Sequence, residues 1–137
     1  MHDGAAATIR VGTDLVRVHD VAESMDRFGD RYLRRVYTDH ELETCGGVAA
    51  RLAARFAAKE ATIKVLRPAD VRPDWRAIEV RRHESGACDL QLSGTAAAQA
   101  AAAGITGLAV SLTHEGDLAA AVVVASVDPI EPEEAAA

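Results

Sequence analysis

Aromatic side chains are nearly missing from this chain: two Phe, two Tyr and one Trp among 137 residues. Its core cannot rest on large rings. Cysteine is limited to Cys45 and Cys88, in no metal-binding or redox spacing. That excludes a disulfide framework and a zinc module, and points to free thiols. No apolar run approaches the ~18 residues of a membrane span, and Met1-His2-Asp3-Gly4 lacks the basic start of a signal peptide. The expectation is a soluble, cytoplasmic protein without a membrane partner. Positive charge is in deficit, with 15 basic against 21 acidic residues and a net charge of -6. A field of that sign opposes binding to nucleic acid or anionic lipid. The chain also lacks a Walker loop and a Ser/His/Asp nucleophile signature.

Alanine fills the place of the large residues: 29 of them, within a hydrophobic share of 49%. Alanines bury little area each, so close backbone packing or an oligomer interface must contribute much of the burial. The length suits one domain, expected over 8–126. Residues 1–7 and 127–137 read as flexible ends, the second acidic and Pro-containing.

Thr8 to Thr13 alternates like a strand, and Leu15 to Val18 can continue it. A polar helix is expected over 20–36. Thr38 followed three residues later by Glu41 marks a capping box. Val48 to Leu66 is free of Gly and Pro and rich in helix formers, with an apolar stripe of Leu52, Phe56, Ile63 and Leu66. Ala77–Arg81 and Asp89–Leu92 read as strands around Glu84-Ser85-Gly86, and Thr95–Ala103 as a helix. The segment around Leu108, Val110 and Leu112 and the Ala119–Ala125 run flank His114-Glu115-Gly116-Asp117, which predicts an antiparallel hairpin. Strands and helices mix without a strict βαβ rhythm. The expected class is α+β, a long central helix packed on an antiparallel sheet.

Four features carry possible chemistry. On the long helix Lys59 falls in the apolar stripe, Glu60 at its edge and Lys64 one turn later. A lysine there needs a partner for its ammonium. The alanines at 57, 58 and 61 suggest a charged site kept sterically open; the alternative is a solvated Glu–Lys pair. Asp14, after Gly12-Thr13 at a strand end, is either a turn cap or a hard oxygen ligand. Asp14 and Glu60 together suit Mg²⁺, which binds one or two carboxylates and substrate phosphates. Ser111 and Thr113 share a strand face, and His114 is expected in the turn; these donors suit a phosphate or are plain turn residues. Arg27, Arg31 and Arg34, with Arg35 beside them, stand at i, i+4 and i+7 of the expected helix. They form either a solvated face or a docking patch for a compact acidic partner.

Three blocks carry a resemblance: Val11-Gly12-Thr13-Asp14-Leu15-Val16, the run from Ala54 to Lys64 (Ala-Arg-Phe-Ala-Ala-Lys-Glu-Ala-Thr-Ile-Lys), and Val110-Ser111-Leu112-Thr113-His114-Glu115-Gly116-Asp117. In order and spacing the chain resembles the holo-acyl-carrier-protein synthases, short-type 4′-phosphopantetheinyl transferases, over roughly 8–126. The resemblance implies transfer of the phosphopantetheine arm of coenzyme A to a serine of an acyl carrier protein of fatty acid or polyketide assembly. It implies a requirement for Mg²⁺ and release of adenosine 3′,5′-bisphosphate. It implies Asp14 and Glu60 as metal ligands and Lys64 on the diphosphate. Arg55, Ser111, Thr113 and His114 would surround the adenine and 3′-phosphate end of coenzyme A, and Arg27 would dock the carrier. It also implies a homotrimer with active sites between subunits. Two departures stand out: Val65-Leu66-Arg67-Pro68-Ala69-Asp70 replaces a Gly-containing loop, and Asp20 stands where the family often has arginine. They motivate the alternative of a relative that binds coenzyme A or carrier protein without transfer.

Overall fold

The computed structural model describes residues 8–129. Of the expected flexible ends, 1–7 and 127–137, residues 1–7 and 130–137 lie outside them. The elements run β1 (Thr8–Arg17), α1 (Val18–Phe28), α2 (Asp30–Val36), α3 (Asp39–Cys45), α4 (Ala49–Leu66), a 3₁₀ turn at Trp75–Ala77, β2 (Ile78–Arg82), β3 (Cys88–Leu92), α5 (Gly94–Ala102), β4 (Ile105–Glu115) and β5 (Leu118–Val127). β1, β5 and β4 form an antiparallel sheet in that order, and β2 and β3 a separate hairpin. The class is α+β, as the mixed pattern predicts. No helix among the described residues is long and apolar enough to cross a membrane.

Three local expectations change. Asp14 lies inside β1 rather than at a strand end, because the strand continues to Arg17, as Leu15–Val18 allow, in register with β5 from Thr8↔Val127 to Arg17↔Leu118. That pairing also carries β5 through Val127, past the expected limit at 126. The stretch 20–36 is two helices rather than one: Gly29 adopts φ 55° between them, a conformation glycine reaches without a Cβ clash. Arg27 therefore ends α1 while Arg31 and Arg34 lie on α2, and the three do not share one helical face. Finally, His114 belongs to β4, opposite Ala119, so only Gly116-Asp117 forms the turn.

That turn has a distant use. The α1 N-terminus has no side-chain cap of its own. The Val18 N–H donates to the Asp117 carbonyl, and the His19 N–H to Asp117 Oδ1 at 2.8 Å. The hairpin tip thus satisfies two donors of a helix that starts about a hundred residues earlier.

α4 is buried nearly all round. Its alanines pack on the inner sheet face, Ala57 and Ala58 with Ala121 and also with Val80 of the β2–β3 hairpin, and Ala61, beside Val65, with Val123 and Ala125. The expected stripe faces elsewhere, Leu52 toward Val21, Val36 and Tyr37, and Ile63 and Leu66 toward Ile78, Ala96 and Ala100. The alanines at 57, 58 and 61 are fully buried and do not hold a site open. Their small size lets helix and sheet backbones approach.

The opposite sheet face has no cover among the described residues. Ile9, Val11, Leu15, Leu118, Val122 and Val124 are all exposed there, in cross-strand rows such as Val11–Val124–Ala109 and Thr13–Val122–Ser111.

Candidate active site

Gly12 sets the position of the first charged group. A side chain at this residue would overlap the Ala61 carbonyl and press on Val65, so only glycine lets β1 lie this close to α4. Asp14, one pleat further on, points to the same inner face and meets Lys64 from α4. Lys64 Nζ lies 2.7 Å from the Thr13 carbonyl and 3.3 Å from Asp14 Oδ1. Glu60, one turn before Lys64, has its own cation: Arg72 Nη2 lies 3.5 Å from Glu60 Oε2. The structure thus brings Asp14, Glu60 and Lys64 to one seam between β1 and α4. Among the described residues no three His, Cys, Asp or Glu side chains cluster as a closed metal site. A cation here would depend on two half-buried carboxylates, with water and substrate oxygens completing its shell. Such hard, open ligation fits Mg²⁺.

Lys59 is not part of that seam. Its ammonium is sealed from solvent against Glu41, with Nζ 2.8 Å from Oε1, and it also donates to the carbonyls of Trp75 and Ile78. Burial pushes its pKa below the usual lysine range, while the Glu41 carboxylate opposes that shift. Glu41 closes the capping box with Thr38, as its spacing predicts, and accepts from the Val80 N–H as well. Sequence reasoning finds Lys59 needing a partner and Glu41 near a helix start, but does not join them.

The second charged region is a cleft of about 410 Å³ between the N-terminal half of α4, the β4 edge and the β2–β3 turn. Arg55, Ser111, Thr113 and His114 all line it, as do Arg51, Arg82 and Cys88. Arg55 is 93% buried by its 7% relative exposure, and its Nε has no hydrogen-bond partner among the described residues. A buried guanidinium with a spare donor is costly until an anion arrives. This is the observation that fits a phosphate-bearing ligand. Arg51 and Arg82 were missed from sequence. The i, i+4 spacing of Arg51 and Arg55 was the available signal; Arg82 reaches the cleft only through the hairpin.

Within one chain the two regions lie apart. Arg55 and Lys64 are nine residues distant on α4, about two and a half turns, which places them on opposite flanks of the helix. Lys64 meets β1 and Arg55 meets the β4 side, the two outer strands of the sheet.

The arginine patch has an apolar companion. Arg31 and Arg35 border a hollow walled by Phe28, Tyr32, Val36, Phe56 and Trp75. Arg27 stacks over Phe28 at 5.5 Å. Arg34 instead faces a neighbouring hollow with Arg76 and Asp74. Asp20 lies in the first turn of α1, where a carboxylate complements the helix dipole.

Comparison with known proteins identifies the family. The family profile described as 4′-phosphopantetheinyl transferase superfamily matches residues 10–123. A holo-[acyl-carrier-protein] synthase of Desulforudis audaxviator is 40% identical over 124 residues, covering 88% of this chain and 94% of that one. Its counterpart in Chloroflexus aurantiacus is 44% identical, covering 83% and 95%. Among solved structures, the Chronobacterium ammoniagenes synthase in complex with coenzyme A superposes with a TM-score of 0.80 at 31% identity, covering 89% of this chain and 99% of that one. The Mycobacterium tuberculosis acyl carrier protein synthase superposes with a TM-score of 0.70 at 38% identity, covering 87% and 96%. On its sequence blocks, its fold and these relatives, the chain belongs to the holo-[acyl-carrier-protein] synthases of the 4′-phosphopantetheinyl transferase superfamily.

Proposed function

We propose that this chain moves the 4′-phosphopantetheine arm of coenzyme A onto a serine of an acidic apo acyl carrier protein in the cytoplasm, releasing adenosine 3′,5′-bisphosphate. The observation that carries the reading is the β1–α4 seam, where Lys64 bridges to Asp14 one turn from Glu60. The serine oxygen forms a bond to the pantetheine phosphorus while the bridging bond to the nucleotide phosphate breaks. Such transfer needs charge neutralisation and in-line positioning more than covalent help. Lys64 faces the diphosphate and stabilises the charge that develops on it. Glu60 accepts the serine proton. Mg²⁺, which Asp14 and Glu60 would hold, adds positive charge at the diphosphate. The Arg55 cleft, with Ser111, Thr113 and His114, takes the adenine and 3′-phosphate end. Arg31 at the rim of the apolar hollow, Arg27 over its Phe28 wall and Arg34 at the neighbouring hollow supply the positive charge an acidic carrier selects.

The separation of seam and cleft on opposite flanks of α4 supports a site shared between subunits. The bare apolar sheet face supports the homotrimer that would bring one copy's cleft toward its neighbour's seam.

The test is incubation with coenzyme A, Mg²⁺ and several apo carrier proteins, read by mass for the added arm. Transfer that disappears in Asp14→Ala and Glu60→Ala, with both variants folded, is the expected result. Coenzyme A binding without transfer to any carrier, beside a working control enzyme, would establish the binding-only alternative.

A further inference from the structure

We propose that Arg72 is a second cationic partner of the substrate diphosphate, held on Glu60 until a divalent ion takes that carboxylate. The inference rests on the transferase reading of the same seam. Without ligands, each carboxylate of the seam has its own cation: Asp14 has Lys64 at 3.3 Å, and Glu60 has Arg72 at 3.5 Å. Two negative and two positive groups balance. A divalent cation adds two positive charges and a diphosphate about two negative ones. Balance returns only when both have bound.

The surroundings give Arg72 the freedom to switch. Its side chain is 63% exposed, and its guanidinium also lies over the Trp75 ring at 5.6 Å. Trp75 is itself fixed, packed on Phe56 and held through its carbonyl by Lys59. The backbone beside Arg72 is tied as well, by Gln99 Nε2 donating to the Val71 carbonyl at 2.7 Å. The loop is therefore anchored on both sides of Arg72, while the side chain itself is held only by a long ion pair and a ring face. A cation that takes Glu60 leaves the guanidinium within reach of the seam. Arginine suits phosphate oxygens by its planar fork of donors. Metal and diphosphate binding are thus coupled, and linkage makes the coupling reciprocal.

Calorimetry with Mn²⁺ alone, coenzyme A alone, and coenzyme A in saturating Mn²⁺ tests this on the wild-type chain, Arg72→Ala and Arg72→Lys. Arg72→Ala should bind Mn²⁺ alone about two- to fivefold more tightly, the range of a part-exposed ion pair removed. In saturating Mn²⁺ it should bind coenzyme A about tenfold more weakly. Arg72→Lys, which keeps the charge, should recover most of the coupling. Equal Mn²⁺ affinity in wild type and Arg72→Ala, or unchanged coenzyme A affinity in Mn²⁺, overturns the proposal. A wild-type chain that binds neither Mn²⁺ nor coenzyme A overturns instead the functional reading beneath it.

Discussion

Lys59 Nζ lies 2.8 Å from Glu41 Oε1, and both side chains are fully sealed from solvent. The pair joins α3 and α4 and, through Val80, Ile78 and Trp75, fixes the β2 hairpin to both helices. Removing one partner leaves the other as an uncompensated buried charge. Lys59→Met should cost about 3–5 kcal/mol, a large part of the ~5–15 kcal/mol of a typical domain. Urea unfolding measures it. The double variant Lys59→Met, Glu41→Leu should recover part of that loss, since neither charge then remains buried. A single variant as stable as wild type would contradict the account.

Gly12 and Ala61 make the next prediction. A methyl group at position 12 meets the Ala61 carbonyl, which is backbone and cannot rotate away. Gly12→Ala should cost about 1–3 kcal/mol of stability by overpacking. It should also lower transfer activity more than stability alone explains, because β1 must shift and take Asp14 from Lys64. Thermal unfolding and the transfer assay, both on purified protein, separate the two effects.

Arg67 ends α4 with φ 52°, the only positive-φ residue other than glycine among those described. Helices favour glycine at this position, and an L side chain in the left-handed region costs about 1–2 kcal/mol. Arg67→Gly should therefore stabilise the fold by up to about 1 kcal/mol after the added chain entropy, read as a higher urea midpoint.

Val122 sits in the middle of the bare sheet face, 41% exposed, between Thr13 and Ser111. Val122→Glu should leave the folded chain intact and convert a trimer to monomer in sedimentation. Transfer activity should fall at least tenfold, since a monomer separates cleft from seam. A wild-type chain that sediments as an active monomer would refute the shared site.

Tyr37 is buried beside Tyr32, whose hydroxyl is 2.9 Å from its own, with Cys45 and Glu41 also near. Burial, reinforced by these neighbours, pushes the Tyr37 pKa far above its ordinary 10.0. The unfolded chain releases that proton first. Its contribution is fully present below pH 10 and is lost as pH rises above it, at up to about 1.4 kcal/mol per pH unit. Tyr37→Phe should lower stability slightly at pH 8 through the lost hydrogen bond, yet flatten the alkaline decline. Unfolding midpoints between pH 8 and 11 test the slope.

The amino-acid order alone determined what is decided within a few residues. The capping box of Thr38 and Glu41, the run of helix formers through α4, and the alternation leading into Gly116-Asp117 all act over one turn or one pleat. Gly29 marks the limit of that reading: in sequence it is a lone glycine inside a polar, helix-compatible stretch, and only the fold gives it the φ of 55° that separates α1 from α2. Tertiary structure decided which of two helical flanks each charge would serve. Asp14 and Lys64 are 50 residues apart, Lys59 and Glu41 are on separate helices, and Asp117 caps α1 from the far end of the chain. The physical reason is range. Propensity and periodicity follow from local sterics and hydrogen bonding, whereas a buried charge or a bare donor finds its partner only when packing brings distant segments together.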